Sequence, residues 1–284
     1  MLNEVEYIYS NPDSKRLNNK ENLIPFINYE KPAPERCLDM LLAKYRGESY
    51  QSEVMMLTPE RSPIPRLRCK LEEARILLIT DGGLVPKGNP DKIPSTNAGH
   101  YGIYDISGKA RLSRNDYEVS HQGYDTEYVE ADPNRLLPVD VLREMEKKKI
   151  IGKLCDRFVS TTGVMTSTEK SKRLGKRIAD YVLSLGVDAV ILTSACGTST
   201  RCGAYIGKAI EEKGIPVVQV TNLVKISADV GIGRTVKGNN VCYPFGKPSL
   251  SKKCEYEYRK SLVEETLHAL IEVQEKKKVS YLQY

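Results

Sequence analysis

The sequence has no tryptophan, only three phenylalanines and only three histidines among its 284 residues. No apolar run approaches the roughly 20 residues that a membrane-spanning helix needs. The first residues, MLNEVEYIYSNPDSKRLNNK, lack the apolar segment of a secretory signal peptide. We therefore expect a soluble protein with no membrane partner and a cytoplasmic location.

The seven cysteines include no CxxC pair, which argues against a structural zinc site. An odd number would leave one thiol unpaired in a secreted protein, whereas cytosolic thiols are mostly reduced. The sequence also lacks a GxGxxG or GKS arrangement for binding phosphate. We expect reduced cysteines, no metal site and no cofactor bound by this chain itself.

Positive charge is in moderate excess, with a formal net charge of +6. Two lysine runs, at 147–149 and 276–278, fall at predicted helix C-termini, where cations interact favourably with the helix dipole. No RNA- or DNA-binding motif accompanies them. Solvated helix ends explain these runs better than a nucleic-acid patch, so we expect no nucleic-acid partner.

Short apolar runs alternate with segments of helical periodicity along the chain. Strands are predicted at residues 75–80, 154–160, 189–194 and 217–221, and helices at 34–46, 138–149, 168–185, 200–213 and 250–275. This alternation predicts an α/β fold with a doubly wound, mainly parallel sheet and flanking helices. Residues 1–33 show no period and are predicted to form an N-terminal arm, which leaves 34–284 as the α/β domain.

The stretch TSACGTSTRCG, residues 193–203, places Cys196 directly after a predicted strand. Ligands of open parallel sheets bind beyond the carboxyl ends of the strands. The next helix is expected to begin at residues 198–200, and its first amides and dipole stabilise an anion. Arg201 adds a cation, and such surroundings favour a thiolate. We predict that Cys196 is a nucleophile and that Gly197, Thr198, Ser199 and Thr200 bind substrate.

Three further residues are candidates for the same chemistry. Cys202 is proposed as a thiol that resolves Cys196, or alternatively as a small buried residue that faces the sheet. His121 lies in the polar segment SHQGYD and is either a proton shuttle or a surface residue. Arg201 is expected to stabilise an anion near the thiol.

Several longer stretches carry a family resemblance. They are GGLVPKGNPDKIPSTNA (82–98), YGIYDISG (101–108), HQGYD (121–125), ILTSACGTSTRCGA (191–204) and GIPVVQVTNLVKISADVGIGR (214–234). These blocks resemble the selenoprotein B subunit of the glycine, sarcosine and betaine reductases, and more distantly the selenoprotein subunit of D-proline reductase. The chain looks like an N-terminally shortened member, because the longer members carry a further α/β half.

The resemblance implies an oxidoreductase subunit that cleaves a C–N or similar bond of a small amino-acid-type substrate. In such enzymes a pyruvoyl group on a partner subunit condenses with the substrate amine, and a selenolate attacks the adjacent carbon. Cys196 stands where glycine-type members have selenocysteine, either naturally or as a replacement made for expression. Ser199 stands where they have cysteine, and Cys202 matches their last cysteine.

The partners implied are the pyruvoyl-containing subunit and either a selenoprotein A-like carrier or thioredoxin, and homo-oligomerisation is left open. Two other functions are kept as alternatives. One is a non-catalytic or thiol-based binding subunit of such a complex. The other is a small-molecule-binding α/β protein that uses the loop at 81–98 for a phosphate.

Overall fold

The computed structural model describes residues 27–53, 64–272 and 278–280, and the chain divides into two units, Met1–Thr58 and Pro59–Tyr284. In the first unit, helix α1 (Ala33–Arg46) begins after Pro32 and ends at Gly47, whose φ of 71° is left-handed. This confirms the helix predicted at 34–46. Most of the predicted arm lies outside the described residues.

The second unit contains a mainly parallel seven-stranded sheet with the order β3-β5-β1-β6-β7-β8-β9. Its strands are β1 (Arg75–Thr80), β3 (Gly102–Asp105), β5 (Lys153–Ser160), β6 (Ala189–Thr193), β7 (Val217–Thr221), β8 (Arg234–Lys237) and β9 (Lys278–Ser280). Only β3 pairs antiparallel among them. Strands β5-β1-β6-β7-β8 follow the 2-1-3-4-5 order of a doubly wound sheet, which confirms the predicted fold.

Helices cover both faces of this sheet. They are α2 (Glu127–Ala131), α3 (Val139–Lys147), α4 (Thr168–Ser184), α5 (Gly197–Glu211), α6 (Val224–Val230) and α7 (Lys252–Ile271). Helices α4 and α5 pack together over one apolar cluster, and α3 and α7 contribute to the cluster on the other face. The lysine run at 147–149 begins at the end of α3 as predicted, whereas Lys276 and Lys277 lie outside the described residues.

The central strands are buried along their whole length. Every residue of AVILT in β6 and of VVQVT in β7 is buried, as is all of RILLIT in β1 except its first residue. Parallel strands covered on both faces produce continuous apolar runs rather than alternation. That burial explains why the sequence predicted these strands within one residue at either end.

A two-stranded antiparallel ribbon, β2 (Leu84–Pro86) with β4 (Tyr117–Val119), rises from the end of β1. The Ser120 amide donates to Gly83 O at 2.8 Å, and the Gly83 amide donates to Thr161 O at 3.0 Å. Gly83 has φ of 75°, and a Cβ there would lie 2.2 Å from Ser120 O. Glycine at this position therefore lets the ribbon fold back and hold residues 120–125 over the strand ends.

Candidate functional site

Three loops meet where β1, β5 and β6 end. Thr80 pairs with Ser160 on one side and with Thr193 on the other, so these three strands finish level with one another. The chain reverses its winding direction between β1 and β6, and ligands of doubly wound sheets bind at such a switch point. Cys196, three residues beyond the end of β6, lies at this point.

Cys196 is the N-cap residue of α5 and is half-buried. The Thr200 amide donates to Cys196 O at 2.8 Å, and this hydrogen bond closes the first turn of the helix. The predicted start at 198–200 was therefore one to three residues too late, because small polar residues that suit an N-cap also fit a first turn. The earlier start brings the sulfur closer to the positive end of the helix than the sequence indicated.

Thr198 links Cys196 to the loop after β5. Its Oγ1 accepts a 2.9 Å hydrogen bond from the Met165 amide and lies 3.8 Å from Cys196 Sγ. Since that oxygen already accepts from a backbone amide, its own O–H is available to donate towards the sulfur. Thr198 therefore connects the first turn of α5 to the loop after β5 directly beside the thiol.

His121 is buried, with 5% of its surface exposed, so the alternative of a surface residue is wrong. The Gly123 amide donates to His121 Nδ1 at 2.9 Å, and His121 Nε2 lies 2.7 Å from Ser199 Oγ. Since Nδ1 accepts, the proton of the neutral ring is on Nε2 and is donated to Ser199. Burial lowers the pKa of His121 to about 4.

The segment HQGYD passes directly over the Cys196 sulfur. A Cβ built on Gly123 would lie 2.8 Å from Cys196 Sγ and 2.7 Å from His121 Cε1. Tyr124 anchors the segment. Its hydroxyl donates to Gly82 O at 2.8 Å, and the centroid of its ring lies 4.7 Å from the centroid of the His121 ring. Glycine at position 123 therefore sets how closely the backbone approaches the thiol.

Other predicted site residues face away from this crevice. Arg201 donates from Nη2 to Thr166 O at 2.7 Å, which holds its guanidinium against the loop after β5. Thr200 is buried and shares a 2.8 Å hydrogen bond with Thr221. Cys202 has no exposed surface, belongs to the apolar cluster beneath α4 and α5, and has its pKa raised to about 12 by burial. Its position matches the buried alternative, and its resolving role stays a prediction.

Sequence reasoning missed Asp81, the residue that follows β1. Its carboxyl is fully buried and accepts a 2.6 Å hydrogen bond from Ser194 Oγ. Burial raises its pKa well above the usual range, although the backbone amides of Ala195 and Gly203 oppose that rise. Gln219 donates to the same Ser194 oxygen at 2.8 Å and to Thr200 O at 2.9 Å. This buried network ties the Cys196 loop to β1 and β7.

The described part of the chain contains neither a metal-binding group of side chains nor a helix that could span a membrane. Within it, no three His, Cys, Asp or Glu side chains converge as metal ligands. Among the described helices, none combines the length and apolar content that crossing a membrane requires.

These features define an α/β protein with a half-buried thiol at the switch point of a doubly wound sheet. Residues 19–195 match the family model for glycine/sarcosine/betaine reductase selenoprotein B, and the chain belongs to this family. The match ends at the residue before Cys196.

Curated relatives support the same assignment. The chain is 45% identical over 241 residues to glycine reductase complex component B subunit gamma of Carboxydothermus hydrogenoformans, covering 85% of this chain and 55% of that protein. It is 41% identical to sarcosine reductase complex component B subunit beta of Peptoclostridium acidaminophilum, covering 85% and 56%. It therefore spans about half the length of these relatives.

A more distant relative is of similar size. D-proline reductase subunit gamma of Acetoanaerobium sticklandii is 31% identical over 236 residues, which cover 82% of this chain and 93% of that protein. No solved structure matches this chain. The relatives are subunits of reductases, and several are named as parts of reductase complexes.

Proposed function

We propose that this chain is a cytoplasmic reductase subunit whose Cys196 thiolate cleaves a C–N or similar bond of a small amino-acid-type substrate. The observation that carries the proposal is the position of Cys196 Sγ at the start of α5, beneath Gly123. The similarity to component B subunits of glycine, sarcosine and betaine reductases supports the substrate class.

The residues around the sulfur have separate roles in this proposal. The first amides of α5 and the hydroxyl of Thr198 stabilise the thiolate before it attacks. The thiolate attacks the carbon of the C–N bond, whose electron pair leaves with the nitrogen, and a thioether to Cys196 results. His121 in its neutral form holds the buried Ser199 in the first turn of α5, whereas Gly197 leaves room for the substrate at the helix start.

The nitrogen needs activation, because an amine is a poor leaving group. A pyruvoyl group on a partner subunit would supply this activation by withdrawing electrons from the C–N bond. The product carbon would then leave Cys196 in one of two ways. A selenoprotein A-like carrier would attack the carbon, so that the C–S bond to Cys196 breaks and a bond to the carrier forms. Alternatively, a dithiol such as thioredoxin would reduce the C–S bond, so that the carbon gains a hydrogen, Cys196 regains its thiol and the dithiol becomes a disulfide. Arg201 is held against the loop after β5. Its positive charge is proposed to stabilise the negative charge of the substrate from that position.

Reconstituted turnover tests this proposal. The chain is combined with a pyruvoyl-containing subunit and a dithiol reductant. Cleavage of the C–N bond is measured as release of ammonia or amine from glycine, sarcosine and betaine, and as ring opening of D-proline. We expect release with at least one substrate, none with Cys196→Ser, and faster release with selenocysteine at position 196. The variant Cys254→Ser, at an exposed cysteine of α7, serves as the matched control. Turnover that survives in Cys196→Ser would overturn the proposal.

A second candidate is a thiol-based binding subunit without turnover of its own. It is favoured by the burial of Cys202, which leaves that thiol unexposed within the apolar cluster. A binding subunit would hold substrate in the crevice without forming a thioether. Substrate binding by calorimetry that is equal in the native chain and in Cys196→Ser, together with no amine release, would favour this candidate.

A further inference from the structure

Gln219 is a polar residue in the middle of β7, a strand whose residues are all buried. Its side chain has no exposed surface, and its neighbours in the strand are Val218 and Val220. A parallel strand covered on both faces is usually apolar, and a buried amide destabilises the fold unless it is hydrogen-bonded. The hydrogen-bond partners of Gln219 therefore indicate what this residue does.

Both N–H groups of the Gln219 amide are used on the loop that carries Cys196. Gln219 Nε2 donates to Ser194 Oγ at 2.8 Å and to Thr200 O at 2.9 Å. Ser194 comes two residues before Cys196, and Thr200 comes four residues after it. A side-chain amide has two N–H donors, so one group makes both hydrogen bonds. Gln219 thus joins the two ends of residues 194–200, the Cys196 loop.

Thr200 is fixed through three of its polar groups. Its amide donates to Cys196 O at 2.8 Å and closes the first turn of α5. Its carbonyl accepts from Gln219, and its hydroxyl shares a 2.8 Å hydrogen bond with Thr221 Oγ1. The residue that Gln219 holds is therefore the one that closes the helix turn on Cys196.

Ser194 is held on the other side of the thiol. Its hydroxyl donates to Asp81 Oδ2 at 2.6 Å, and its amide donates to Val220 O at 3.0 Å. Since its one hydroxyl proton goes to Asp81, Ser194 Oγ accepts from Gln219. The chain that leads into Cys196 is thus attached both to the end of β1 and to β7.

The orientation of the Gln219 amide is fixed by two further hydroxyls. Gln219 Oε1 accepts a 2.5 Å hydrogen bond from Ser227 Oγ in α6, and Ser227 Oγ lies 2.8 Å from Thr235 Oγ1 in β8. A flipped amide would point its oxygen at Thr200 O, which can only accept, so the nitrogen must face the Cys196 loop. Rotation of the amide would break all three of its hydrogen bonds.

We propose that Gln219 is a positioning residue that holds the Cys196 loop so that the sulfur meets the start of α5. It acts through its hydrogen bonds to Ser194 and Thr200. Without its amide, the first turn of α5 is held less firmly, and the thiolate loses part of the stabilisation that the helix start provides. The effect on turnover rests on the proposed function, whereas the effect on the reactivity of the thiol does not.

The rate at which iodoacetamide modifies Cys196 tests this role in the full chain. Tryptic peptide 178–201 contains Cys196 and no other cysteine, so mass spectrometry of that peptide measures the rate. At pH 10 an ordinary thiol is almost fully ionised and the rate reports access to the sulfur, whereas at pH 7 the rate also depends on the thiolate fraction. The ratio of the rate at pH 7 to the rate at pH 10 therefore separates thiolate stabilisation from access.

Gln219→Met removes both N–H donors at a similar side-chain size, and we expect it to lower this ratio about tenfold. Ser227→Ala frees Gln219 Oε1 and lets the amide rotate, so it should lower the ratio by a smaller factor. Thr266→Val is the matched control, because it removes a buried 2.7 Å hydrogen bond to Leu262 O within α7. Its ratio should stay within about twofold of that of the native chain.

A ratio in Gln219→Met equal to that of the native chain would overturn the inference. A decrease in Thr266→Val as large as that in Gln219→Met would also overturn it, because general destabilisation would then explain both. Urea unfolding shows whether each variant is folded. If Gln219→Met does not fold, Ser227→Ala decides, and an unchanged ratio there overturns the inference.

The inference and the proposed function fail in different ways. An unchanged alkylation ratio in Gln219→Met, together with C–N bond cleavage that requires Cys196, would contradict the inference alone. A lowered ratio with no C–N bond cleavage in the reconstituted assay would contradict the reductase proposal alone. In turnover, Gln219→Met is expected to lower kcat about tenfold and to leave KM within about twofold of the native value, because it changes the attacking thiolate rather than substrate binding.

Discussion

His121 Nε2 donates to Ser199 Oγ at 2.7 Å, while the Gly123 amide occupies His121 Nδ1 at 2.9 Å. This pair joins the covering segment to the first turn of α5, one residue beyond Thr198. A second proton on the ring would place Nδ1–H against the Gly123 amide, so geometry and burial both favour the neutral imidazole.

The free energy of unfolding should therefore decrease as the pH is lowered, and protonation of His121 should be a cause of that decrease. Its pKa is about 4 in the folded chain and about 6.5 when unfolded, so the unfolded chain binds the extra proton between these values. The stabilisation is present above about pH 6.5 and is lost as the pH falls towards 4, by about 3 kcal/mol. Urea unfolding at pH 7.5 and 4.5 measures this change.

The variant His121→Gln is the control for that prediction. A glutamine amide can donate to Ser199 in place of Nε2 but does not titrate. We expect its free energy of unfolding to change less between the two pH values than that of the native chain. If the free energy of unfolding changes equally in the two chains, the pKa of His121 is the same in the folded and the unfolded chain.

Gly123→Ala should shield the Cys196 thiol. The added methyl would lie 2.8 Å from the sulfur, so either the segment moves or the sulfur is covered. We expect iodoacetamide to modify Cys196 about tenfold more slowly, with a stability loss of about 1–2 kcal/mol. Gly99→Ala is the matched control, because its methyl would meet only the flexible end of Lys170 at 3.3 Å. An unchanged rate in Gly123→Ala would contradict the described approach.

Asp81→Asn should gain in stability relative to the native chain as the pH rises. Burial raises the folded-state pKa of Asp81, so its favourable contribution is present below about pH 3.9 and is lost as the pH rises through the folded-state value. Asparagine does not titrate and can still accept from Ser194. Urea unfolding at pH 5 and pH 8 measures this effect. The free energy of unfolding of Asp81→Asn, relative to that of the native chain, should be higher at pH 8 than at pH 5.

Asp81→Ala provides the contrast at the same site. It leaves the Ser194 hydroxyl without its buried acceptor, which costs about 1–3 kcal/mol. If the difference in free energy of unfolding between Asp81→Asn and the native chain is the same at pH 5 and pH 8, burial does not raise the pKa of the Asp81 carboxyl.

Cys202→Ala separates the two interpretations of that residue. If Cys202 packs in the core, the change costs about 1 kcal/mol of stability and leaves alkylation of Cys196 unaltered. If Cys202 resolves Cys196, oxidation with diamide joins the tryptic peptides 178–201 and 202–208, which contain Cys196 and Cys202, in the native chain and not in the variant. Unfolding experiments and peptide mapping together distinguish these outcomes.

The sequence allowed the sheet to be predicted well because β1, β6 and β7 are buried on both faces and read as continuous apolar runs. The ribbon β2–β4 and strand β3 were missed, since three or four residues carry no usable period. The start of α5 was predicted too late because GTST resembles a loop as much as a first turn.

The site was predictable only in part. Cys196 could be found because its position depends on the local order of strand, loop and helix. The approach of Gly123 to that sulfur depends on Gly83 and the ribbon, which bring together residues 73 positions apart. The burial of Asp81 likewise follows from topology, which no local pattern encodes.

The most direct measurement is the mass of the Cys196 peptide after incubation with substrate and the pyruvoyl-containing subunit, without added reductant. The account predicts that peptide 178–201 gains the mass of the substrate carbon fragment in the native chain and that Cys196→Ala shows no such gain. An adduct that persists in the alanine variant, or that maps to another peptide, would remove Cys196 from the reaction.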